Sequence, residues 1–109
     1  MQQFDYLPIM EALRDLNGYD KNKLDYLTQA HSILSEGYVL LCEYIGRLEA
    51  RKMICQTVKG RTEYGFSKED VEELFAELSK AEAYKFTIEK AVFMVQQKFK
   101  SMNEFSYGV

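Results

Sequence analysis

Two stretches of this chain repeat apolar residues at alternating steps of three and four, and this repeat restricts the fold more than any other feature. Leu24, Leu27, His31, Leu34, Tyr38, Leu41, Ile45, Leu48, Lys52 and Cys55 form the first series, with eight of its ten positions apolar. Val71, Leu74, Leu78, Ala81, Lys85, Ile88, Val92, Val95, Phe99 and Met102 form the second, interrupted only by Lys85. Such spacing places each series on one face of an α-helix and matches the heptad pattern of helices that pack lengthwise. One proline and six glycines in 109 residues leave too few chain breakers for a many-stranded β fold. The predicted class is all-α.

The flanking residues set the expected boundaries. Asp5 is placed to cap a short helix over 6–17, with Pro8 in its first turn and Ile9, Leu13 and Leu16 on one face. Asn17-Gly18 supplies a stop, and Asp20 is a candidate cap for a long helix over 20–59. Gly37 and Gly46 inside it each cost about 1 kcal/mol relative to alanine, so a break near Ser35-Glu36-Gly37 is the alternative to a continuous or bent helix. A turn over Gly60–Gly65 precedes Ser67, whose spacing to Asp70 resembles a capping box, with Phe66 and Val71 placed as a hydrophobic staple. The second long helix is expected over 67–103, with a frayed tail at 104–109.

A short N-terminal helix followed by two long heptad helices predicts an antiparallel, coiled-coil-like hairpin in a single helical domain. With the turn near residue 63, Leu48 faces Leu78, Tyr38 faces Ile88 and Leu27 faces Phe99, while Lys85 must snorkel out from opposite Leu41. The outer faces are not polar, however. Tyr26, Ala30, Ile33, Gly37, Leu40 and Tyr44 form a second stripe, and Phe75, Phe86, Phe93 and Met94 lie outside the other seam. A helix that is apolar on every side must be covered on every side. The short helix spans only about 16 Å against about 60 Å for a forty-residue helix, so the expectation is closure by a second chain. A homodimer forming a helical bundle is the simplest case, and another protein is the alternative. Tyr26, Ile33, Leu40, Phe86 and Phe93 are the candidate partner-binding residues. The expected function is a non-enzymatic interaction module of the adaptor, chaperone or inhibitor kind.

Two alternatives compete with that reading. One is a small helical enzyme with a bundle-interior site around His31, Arg47, Arg51 and Lys85. The other is nucleic-acid binding through Arg47, Arg51, Lys52, Lys59 and Arg61. A net charge of −3 provides no global attraction for nucleic acid. The basic group also falls beside the acidic helix start of Glu69, Asp70, Glu72, Glu73 and Glu77, where mutual neutralisation explains both. There is no zinc-ligand spacing, phosphate loop or nucleophile set, so no catalytic residue, metal or cofactor is predicted. Cys42 and Cys55, thirteen residues apart on one helix, would be separated by about 20 Å, whereas a disulfide needs roughly 4.4–6.8 Å. Free thiols, short apolar runs and an N-terminus unlike a signal peptide lead to the expectation of a cytoplasmic protein without a membrane span.

Overall fold

A computed structural model describes the backbone of residues 4–18 and 24–107 and the side chains of residues 4–16 and 27–101. Among them the chain is all-helical: α1 (Leu7–Gly18), α2 (Leu24–Cys55), α3 (Val58–Glu63) and α4 (Lys68–Tyr107). The Asp20 cap, the side chain of Tyr26 and the final residues 108–109 lie outside the described residues.

The helix starts follow their capping chemistry. Leu7 donates its backbone N–H to Asp5 Oδ1 at 3.1 Å. Asp70 donates its N–H to Ser67 Oγ at 3.1 Å, and Ser67 donates its own to Asp70 Oδ2 at 2.9 Å. This reciprocal pair satisfies two otherwise orphaned donors, and it holds the Asp70 carboxyl below the usual carboxylate range. Phe66 and Val71 flank it, both half-buried against the core.

The first long helix stops earlier than its periodicity suggests. It ends at Cys55 rather than Lys59, and residues 58–63 form a separate short helix. Thr57 adopts an extended conformation and accepts the Gly60 N–H on Oγ1 at 2.9 Å, so its hydroxyl caps α3. Arg61 Nη1 donates to the Cys55 carbonyl at 2.6 Å and satisfies the end of α2. Gly60 is required here, since a Cβ would overlap the Ile54 carbonyl. Gly65, with φ +69°, then turns the chain into α4. The second long helix extends past the expected end at 103, to Tyr107.

No break occurs at Gly37, and α2 is continuous through it. The glycine instead lets α1 approach: a Cβ there would lie 2.9 Å from Ile9 Cγ1. Contacts between the helices fix the packing sense of α2 and α4. Tyr44 meets Glu77, Tyr38 meets Glu89 and His31 meets Phe99, so the two helices run in opposite directions. The seam holds Leu34, Leu41, Ile45 and Leu48 of α2 against Leu74, Leu78, Ala81 and Ile88 of α4, all buried. Lys85 is half-buried at the edge of this seam. Helix α1 lies along one flank of the α2–α4 pair and buries Ile9 and Ala12. The molecule is a rod of 67 × 21 × 15 Å.

Candidate functional site

The α2–α4 pair has two long grooves, and α1 occupies one of them. There, Tyr6 stacks on Tyr84 with ring centroids 4.6 Å apart, and Phe4 packs edge-on to Tyr6 at 4.9 Å. The hydroxyls of Tyr6 and Tyr44 both donate to Glu77 Oε1, at 2.9 and 2.8 Å. One carboxylate of α4 thereby joins Tyr44 of α2 to Tyr6, the residue that precedes α1. Burial, reinforced by the hydrogen bond to Glu77, pushes the Tyr6 hydroxyl well above its ordinary value and that of Tyr44 up to about 12. The Lys80 ammonium lies 4.6 Å from the Tyr6 ring centre and the Arg47 guanidinium 5.9 Å from that of Tyr44.

Among the described residues none fills the opposite groove. Ser35, Tyr38 and Val39 of α2 and Ile88, Glu89, Val92, Phe93 and Gln96 of α4 line an open depression of about 510 Å³. Across it the Tyr38 hydroxyl donates to Glu89 Oε1 at 2.8 Å. That bond, followed by partial desolvation and the neighbouring Cys42, pushes Tyr38 up to about 12. Val39 and Phe93 are 58% and 59% exposed at the rim. Phe86 lies two helical turns from Phe93 on the same face of α4 and is 58% exposed. Phe75, eleven residues before Phe86, continues the line at 41% exposure.

The structure divides the candidate partner-binding residues. Phe86 and Phe93 share the outer ridge of α4. Leu40 lies between Gly37 and Tyr44, which face α1, and so flanks α1 on the other side, half exposed. Ile33 is half-buried against the core. The open groove adds Val39, and also Tyr38, which the heptad series placed in the seam facing Ile88.

The residues of the enzyme alternative do not converge. His31 is half-buried with its ring edge-on to Phe99 at 6.1 Å. Sixteen residues separate it from Arg47, about 24 Å along a helix. Among the described residues no polar or charged side chain is fully buried and no group of three His, Cys, Asp or Glu is placed to hold a metal ion.

The basic residues are mostly engaged locally. Arg61 holds the end of α2, and the Lys52 ammonium lies 5.6 Å from the Phe75 ring centre. Arg51 lines a cleft with Asp70, Glu73 and Glu77, and Lys59 is exposed.

No protein family, curated protein or solved structure matches this chain. Among the described residues no helix is long and apolar enough to cross a membrane.

Proposed function

We propose that this chain is a non-enzymatic interaction module that receives an amphipathic helix of another polypeptide on the side of the α2–α4 pair that α1 leaves bare. The observation that carries this reading is the line of Val39, Phe86 and Phe93, each more than half exposed beside an apolar groove. Contiguous apolar surface of this kind marks an association site in a water-soluble protein. The occupant is helical because the groove lies between two long helices, and a further helix fits such a groove by ridge-into-groove packing. On this reading the antiparallel α2–α4 hairpin is one half of a larger helical bundle. A reducing compartment such as the cytoplasm suits Cys42 and Cys55, which are free thiols.

The test places a photo-crosslinking amino acid at Phe93 and, as a control, at the exposed Glu11 of α1, in the native host. The reading predicts one dominant adduct at position 93 that is absent at position 11, with the crosslinked peptide lying in a helix. Equal, diffuse labelling at the two positions would remove it.

A further inference from the structure

We infer that the cleft between the C-terminal half of α1 and α4 is a binding site for a medium-chain aliphatic carboxylate, its chain laid against Leu13, Leu16 and Ala91 and its head held by Lys90 and Lys98. The site lies in the groove that α1 occupies and is independent of the helix-docking reading.

The cleft opens because one stripe of α4 changes size along its length. Tyr84 begins it, with its ring stacked on Tyr6. Thr87, Ala91, Met94 and Lys98 follow at steps of three and four, on the same face. Where the Tyr84 ring fills the space beside α1, the small side chains of Thr87 and Ala91 leave it open. The result is a cleft of about 220 Å³. Leu27 and Val95, both buried, form its floor, and Leu13 and Leu16 of α1 form one wall.

Its charge is as one-sided as its shape. The chain carries a net charge of −3, yet among the described residues both charged groups that line the cleft are lysines. Lys98 is half-buried, and Lys90 is exposed at the rim, its ammonium 4.5 Å from the Phe86 ring centre. Eight residues separate them, about 12 Å of helix, with Met94 midway. Their flexible four-carbon stems reach over Met94 from either side toward one carboxylate. An apolar chain with an anionic end answers both features. A neutral hydrocarbon leaves the cations without a partner, and a small polar anion gains nothing from the leucines. Scaled from the roughly 150 Å³ that holds benzene, the cleft takes about eight or nine carbons. An open cleft and a ligand this small set a dissociation constant on the order of 10–100 µM.

Isothermal titration calorimetry of the full chain with decanoate tests the site. One decanoate should bind per chain. Octanoate, two methylenes shorter, should bind about tenfold more weakly. Decyltrimethylammonium should bind at least about tenfold more weakly than decanoate. Lys90→Gln with Lys98→Gln should lower the affinity for decanoate about tenfold and leave that for octanol unchanged. Ala91→Leu and, independently, Thr87→Leu narrow the cleft, and each should weaken decanoate at least about tenfold, with helicity checked by circular dichroism. Phe93→Gln, in the opposite groove, should bind as the wild type does. With isotope-labelled methionine methyl groups, decanoate should shift the resonance of Met94 and leave that of Met53, on α2, in place.

Absence of binding up to about 1 mM decanoate, equal affinity for the cationic amphiphile, or binding that Phe93→Gln removes and the lysine pair does not, overturns the proposal. So does flotation of the chain with phosphatidylglycerol vesicles when decanoate leaves Met94 unshifted, which would make the ligand a membrane surface. Crosslinking at position 93 depends on none of these outcomes, so the helix-docking reading stands or falls separately.

Discussion

On one side of the α2–α4 pair, Ile9 and Ala12 of α1 are buried, Gly37 clears space for them, and Tyr6 and Tyr44 share Glu77. On the other side Tyr38 reaches Glu89 across an open groove, while Val39, Phe86 and Phe93 remain more than half exposed. The same two helices supply both faces. What distinguishes them is the presence of a third helix and the polar hub that fixes it. The covered face therefore contributes to stability, whereas the bare face is free to change without loss of fold.

Substitutions should separate the two faces by size of effect, measured as urea unfolding of dilute protein followed by circular dichroism. The largest effect belongs to the seam that both faces share. Leu41 is fully buried, and Leu41→Ala should cost about 2–5 kcal/mol through lost transfer energy and a cavity. Next comes the α1 crossing. Gly37→Val brings side-chain atoms against Ile9, which a Cβ alone would approach to 2.9 Å, and the overpacking should cost about 1–3 kcal/mol. An equally large loss from a bulky residue at Ser35, on the bare side, would break the comparison.

The polar hub has a pH signature of its own. Tyr6 and Tyr44 are raised in the folded chain above the ordinary tyrosine value near 10. Their contribution is fully present below pH 10 and is lost as pH rises from 10 through about 12. Stability should fall across that window, and Tyr44→Phe should lower stability at pH 7 by about 1 kcal/mol while flattening the alkaline decline. An unchanged decline in that variant would show that the Tyr44–Glu77 bond contributes nothing to stability. The smallest effect belongs to the bare face: Phe93→Gln should alter the stability of the isolated chain by less than about 0.5 kcal/mol. A loss comparable to that of Leu41→Ala would mean that Phe93 is covered within its own chain.

The seam was legible because a heptad series leaves little choice of face, and the Ser67–Asp70 box because its chemistry is local. Two things were not. The end of α2 depends on Thr57 and Arg61, whose side chains compete for backbone groups that periodicity alone assigns to a continuing helix. The Tyr6–Glu77–Tyr44 hub joins residues 71 and 33 positions apart, and no spacing rule says which groove a short helix will enter. Gly37 was the available signal, since a glycine within an apolar helical stripe marks close approach as readily as a kink. The same missing information merged Leu40 with Phe86 and Phe93 into one expected surface, although Leu40 shares its stripe of α2 with Gly37 and Tyr44, which face the α1 segment.

Hydroxyl-radical footprinting, read by mass spectrometry, addresses the unequal covering of the two sides most directly. It compares dilute purified chain with the same chain in concentrated host extract. The account predicts that Phe86 and Phe93 lose most of their reactivity in the extract while Met10 and Met53, also exposed, keep theirs. Oxidation of all four residues to the same extent in both samples would contradict it.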